Sequence, residues 1–160
     1  MPVRYAILPE HHALLYVCAG HVTGRELLAA ERQARGDPQR EMGASIVIDL
    51  QMVRELDIEL ADWKALIALN RQLQASGYEP ERTALIARGA HDFTLVGAFR
   101  LIADAVVQLR IHVSETLGEA LGWHGISRAV EDVERARREL QLEARADARG
   151  AAAPRHDPAG

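Results

Sequence analysis

Arg88-Gly89-Ala90-His91-Asp92 is the stretch whose residue types most invite chemistry. Gly89 permits a tight turn, and His91-Asp92 precedes a helical pattern whose first N–H groups can hold an anion. A histidine beside an aspartate can also move a proton, so hydrolysis or proton transfer by this pair is one reading. Asp92 capping the helix, with His91 in solvent, is the plainer one. In an open parallel sheet, ligands lie beyond the carboxyl ends of the strands. Applied to this chain, that rule collects Asp49, Arg54, Asp57, Arg88, His91, Asp92 and Ser114 on one side. That edge is the expected surface for a partner or ligand. Trp63, Phe93 and Phe99 stand at helical spacing, where they either fill the core or border an apolar pocket between helices and sheet.

Other signatures of chemistry are missing from the sequence. Seven histidines include the adjacent pair His11-His12, which cannot easily share one ion, and no His-x-x-x-His or Cys-x-x-Cys spacing occurs. No metal is expected. Cys18 is the single cysteine and lies in an apolar run, so it reads as a small core residue with no disulfide partner in the chain. Neither a Gly-x-Ser-x-Gly elbow, nor a phosphate loop, nor a dinucleotide fingerprint is present, and no cofactor is expected.

Composition sets the frame. The chain has 160 residues, 48% hydrophobic and 26% charged, with a mean hydropathy of -0.13. These values exclude disorder throughout and suit one domain with a core that needs no metal or disulfide. Net charge is -4, too mild to point to nucleic acid. Lys64 is the single lysine among 19 basic residues, a bias of composition more than a device for binding phosphate. No run approaches the roughly 18 apolar residues of a membrane span. Met1-Pro2-Val3-Arg4-Tyr5 lacks the apolar run of a secretory signal. The expected setting is cytoplasmic.

The elements that must position these residues follow from periodicity. Val3, Tyr5 and Ile7 alternate with polar or small neighbours as a half-buried strand does, and Ala13–Ala19 is apolar on both parities. Thr23 and Glu26 form a capping box, with Val22 and Leu27 as its hydrophobic staple, so a helix runs from about Gly24 to Arg35. Ser45–Leu50 reads as a central strand, Leu60–Leu73 as a helix ended by Gly77, and Thr83–Ala87 as a buried strand. Leu95–Val106 carries a further helical face. Leu109, Ile111 and Val113 alternate as an edge strand, and Thr116 with Glu119 caps a short helix ending near Trp123-His124-Gly125. The order ββαβαβαβα requires parallel pairing where helices intervene, giving an α/β domain over residues 1–125 with a mixed sheet of about five strands. Ile126, Val130, Val133 and Leu140 line a C-terminal amphipathic helix, residues 126–149, either packed on the domain or forming a homodimer seam. Residues 150–160 have no apolar anchor and are expected to be a disordered tail.

These residues carry a resemblance. Gly20-His21-Val22-Thr23 before the first helix, Ile48-Asp49-Leu50 ending a strand, and Glu119-Ala120-Leu121-Gly122-Trp123 closing the fold make residues 3–124 similar to the SpoIIAA-like group of STAS/SEC14-type domains. The resemblance implies a non-catalytic module that binds a protein partner or an apolar, lipid-like small molecule. Regulatory STAS domains carry a phosphorylatable serine at the start of the helix after the Asp-Leu strand. Here no Ser or Thr lies between Asp49 and Trp63, so that switch is not expected. Asp57 and Glu59 already place negative charge near the helix start, where the dipole favours it. The expectation is therefore a regulatory module working through protein contacts, with a carrier or sensor of an apolar molecule as the alternative.

Overall fold

A computed structural model describes residues 2–75, 82–88 and 110–151. In chain order they form β1 (Val3–Leu8), a 3-10 turn, β2 (Ala13–Thr23), α1 (Gly24–Gly36), β3 (Ser45–Asp57), α2 (Leu60–Ala75), β4 (Arg82–Ile86), β5 (Arg110–Ser114), α3 (Leu117–His124) and α4 (Val130–Ala151). The helix expected over Leu95–Val106 lies outside the described residues.

Both capping boxes form as their spacing predicts. The Thr23 hydroxyl accepts from the Glu26 N–H while the Glu26 carboxylate accepts from the Thr23 N–H, and Thr116 with Glu119 repeats the arrangement at α3. Each box satisfies backbone donors that a helix start leaves unpaired. Gly24 opens α1 directly against α2: a Cβ there would lie 2.3 Å from Asp62 Cβ, so glycine is what lets the two helix starts approach.

The sheet is mixed, in the order β1-β2-β3-β4-β5. β1 and β2 are antiparallel, and every later pairing is parallel. β5 is an edge, as its alternation suggested. Leu15, Val17, Val47, Ala84 and Ile86 face one side of the sheet, where α3 and α4 cover them with Leu117, Leu121, Val133 and Leu140. Leu14, Tyr16, Cys18 and Ile46 face the other side and pack with Ala30 and Ala34 of α1. Of the C-terminal stripe, Val133 and Leu140 are buried in this core, Ile126 packs against it, and Val130 is exposed.

One boundary needs correction. The apolar pattern ends the central strand at Leu50, yet β3 continues to Asp57 alongside β2. Two irregularities in the β2–β3 register explain why alternation did not reveal it. Asp49 pairs with Val17 but Met52 with Ala19, and Val53 pairs with Gly20 but Glu55 with His21. Each inserts an extra β3 residue and resets which parity faces inward. Leu50, Val53 and Leu56 consequently reach the same α1-side cluster at intervals of three. Gly20 sits at the second irregularity with φ of 71°, backbone that glycine adopts without strain. Arg54 and Asp57 are therefore residues of an extended two-stranded ribbon, not of a loop leading into a helix.

Candidate functional site

The carboxyl ends of the parallel strands bring together only part of the expected set. Asp49, Ile86 and Ser114 share one level of the sheet. Asp49 and Ser114 thus stand two strand spacings apart, about 10 Å. Arg54 lies five residues farther along β3, up to about 16 Å away, and Asp57 pairs with Thr23 at the ribbon's end. Arg88, exposed, lies just past β4. His91, Asp92, Phe93 and Phe99 lie outside the described residues, as does the Trp63 side chain.

Asp49 is fully buried and its carboxylate is saturated. Oδ1 accepts from the Gln51 backbone N–H at 3.0 Å. Oδ2 accepts from Arg137 Nε at 2.7 Å and from Gln141 Nε2 at 3.0 Å. The Arg137 guanidinium also donates to Gln51 Oε1 at 2.6 Å and to Glu134 Oε2 at 3.2 Å. Burial alone would lower the Arg137 pKa, but the Asp49 and Glu134 carboxylates outweigh it and the value rises. Gln51 in turn donates through Nε2 to the Glu115 carbonyl. Asp49 is thus the centre of a closed network that fastens α4 to the sheet. Ser114 is spoken for too: its hydroxyl donates to the Leu85 carbonyl at 3.3 Å.

Sequence reasoning missed Arg137. It lies 88 residues from its partner and reads locally as one more arginine in a charged helix; the available signal was its place on the stripe with Val133 and Leu140, one turn from each. Cys18 behaves as expected of a buried thiol. Burial first, then the Asp49 charge, pushes its pKa up to about 12, so it lacks the thiolate a nucleophile needs.

The ribbon presents a different surface. Val22, Val53 and Leu56 turn toward α1, while His21, Glu55 and Asp57 remain in solvent with side chains 51%, 70% and 63% exposed. His21 Nδ1 lies 3.6 Å from Glu55 and Nε2 lies 3.9 Å from Asp57, a loose, solvent-exposed arrangement. Arg54 is exposed beside them.

At the opposite end of the strands, His124 is buried and its Nε2–H donates to the Ile46 carbonyl at 2.9 Å. Its Nδ1 is buried without a partner. Burial first, with Arg82 and His112 adding repulsion, lowers its pKa below the ordinary 6.5. The unfolded chain therefore takes up a proton that the fold resists. This contribution to stability is fully present above pH 6.5 and is lost as pH falls toward the lowered folded value. Denaturant unfolding at pH 7 and pH 5 should show a drop that shrinks in His124→Gln, whose amide can still donate to Ile46; an equal drop in both would place the pH dependence elsewhere.

No protein-family model matches this chain, and none of the curated proteins matches it significantly. Among solved structures, it is similar to an uncharacterised protein from Shewanella loihica PV-4, described as belonging to the DUF3478 family with a SpoIIAA-like fold. The two are 17% identical over 76% of this chain and 90% of that one, with a TM-score of 0.49. The likeness is one of fold. It brings no residue role, ligand or partner, and the α/β fold of this chain stands on its own sheet order and register. The stretch after Asp49-Leu50 is the bulged continuation of β3, Gln51–Asp57. No helix among the described residues is long and apolar enough to cross a membrane.

Proposed function

We propose that this chain is a non-catalytic binding module that works through protein contacts on the exposed face of the β2–β3 ribbon, without a phosphorylation switch. What carries the reading is a division of labour among the polar groups at this end of the sheet. Asp49 and Ser114 are buried and hydrogen-bonded within the fold, whereas His21, Arg54, Glu55 and Asp57 are solvent-facing on the β2–β3 ribbon. Charged side chains of this kind steer encounter and set specificity at a protein interface.

The test is capture with the full chain as bait, followed by a binary affinity measurement on the purified partner. Arg54→Ala combined with Asp57→Ala should weaken that affinity by about tenfold, roughly 1.4 kcal/mol, with the melting temperature unchanged because both side chains are exposed. A partner held equally well by the double variant overturns the ribbon as the contact surface.

The alternative reading, a carrier of an apolar small molecule, rests on Trp63, Phe93 and Phe99, and no observation among the described residues favours it. Native mass spectrometry of gently purified protein separates the two. A bare polypeptide mass agrees with the protein-contact reading, and an extra few hundred daltons lost on denaturation would replace it with the carrier.

A further inference from the structure

Arg82 and Arg110 are direct ladder partners at the start of β4 and β5. They lie on the face covered by α3, because Ala84 and Ile86 of the same parity pack there and Leu85, Ile111 and Val113 pack on the other. Neighbouring strands are about 4.8 Å apart, so two permanent cations stand side by side. Like charges placed directly opposite in a sheet are destabilising. His112, two residues along β5 and on the same face, adds a third nitrogen-bearing group.

Several arginines elsewhere in this fold meet carboxylates. Arg4 pairs with Glu143 and Asp147, Arg35 and Arg40 with Glu31, and Arg137 with Asp49. Among the described residues Arg82 and Arg110 form no ion pair, although acids outnumber bases in the chain by 23 to 19.

Arg82 is nevertheless held in place. Its guanidinium lies 4.3 Å from the centre of the Trp123 ring, and its Nη2–H donates to the Trp123 carbonyl at 2.6 Å. The cation–π contact and the hydrogen bond fix the plane of the fork. His112 stacks on Trp123 with ring centres 5.1 Å apart and planes 12° from parallel. Trp123 is itself braced by the edge of His124 at 4.9 Å, and His124 is tied to the Ile46 carbonyl. The Trp123 staple accounts for Arg82, but it does not account for Arg110, which is exposed directly opposite.

From this juxtaposition we infer that Arg82, Arg110 and His112, braced by Trp123, form a binding site for a phosphate-type dianion at the amino end of β4 and β5. Guanidinium forks match the oxygens of phosphate bidentately. Two cations on neighbouring strands with a histidine beside them suit a dianion better than a singly charged carboxylate. The bound anion would remove the repulsion between the two arginines. The site lies at the opposite end of the strands from the ribbon, so its fate is independent of the protein-contact reading.

The test uses the full chain and inorganic phosphate, followed through the Trp123 indole N–H in 1H–15N spectra and assigned with Trp63→Phe. The signal should move saturably with a midpoint below about 1 mM at low salt, some 4 kcal/mol of binding free energy. Acetate should need at least about tenfold more, and sodium chloride of equal ionic strength should not reproduce the shift. Arg110→Glu should abolish the response with little change in melting temperature, because the Arg110 side chain is exposed. A flat phosphate titration, an equal response in Arg110→Glu, or acetate and phosphate acting alike would each overturn the assignment.

Discussion

Replacing Arg137 with alanine should destabilise the fold by about 3–5 kcal/mol, the range for breaking a buried ion pair and leaving one charge behind. The Asp49 side chain is 1% exposed and that of Arg137 13%. With the guanidinium gone, Oδ2 keeps only the Gln141 amide and Oδ1 the Gln51 N–H. Neither supplies a counter-charge. Gln51 Oε1 loses its donor in the same step. The cost should fall largely on the carboxylate, so Asp49→Asn added to Arg137→Ala should recover a substantial part, since the side chain is then neutral, its amide oxygen still accepts from the Gln51 N–H, and its NH2 can donate to the Gln141 amide oxygen once that amide turns over. Urea unfolding of the wild type and the variants measures this as a double-mutant cycle. A loss below about 1 kcal/mol for Arg137→Ala would mean that water reaches Asp49 and that the network does not fasten α4.

A chain ended after Ala129 should lose cooperative unfolding altogether. α4 supplies Val133, Leu140 and Ala144, at 1%, 8% and 4% exposure, and the first two share a cluster with Leu15, Val17 and Ile86. Deleting the helix uncovers the β1–β2 part of that side of the sheet and strands Asp49 without Arg137 or Gln141. It also removes Asp132 from His11, 2.8 Å away, and Glu143 and Asp147 from Arg4. Each buried large apolar side chain is worth about 1.5–3 kcal/mol, and a domain of this size is stable by only about 5–15 kcal/mol. The measurement is circular dichroism against temperature: a broad, non-sigmoidal loss of signal is expected. A sharp transition in the shortened chain would show that residues 1–129 fold without the helix.

The two predictions concern a part of the molecule that reads unevenly from the sequence. Thr23/Glu26 and Thr116/Glu119 were legible because a capping box is a contact across three residues, settled by local geometry. Ala13–Ala19 was legible as a strand buried on both faces, and it is the strand that α1 covers on one side and α4 on the other. The far half of β3 was not, because its bulges move the apolar positions Leu50, Val53 and Leu56 off a period of two. The candidate edge was legible only as a list of residue types. Asp49 and Ser114 do stand at one level, but burial commits them to the fold, and Arg54 and Asp57 are carried away along the ribbon.

By itself the sequence determined the α/β class, the order of the described elements and where two helices begin, all of which rest on patterns a few residues long. Tertiary structure alone decided that Arg137 neutralises Asp49 across 88 residues. It also set Arg82 beside Arg110, and Trp123 beside both Arg82 and His112. Those pairings depend on strand register and helix placement. A single sequence encodes these through the summed packing of the whole core, not through any local spacing.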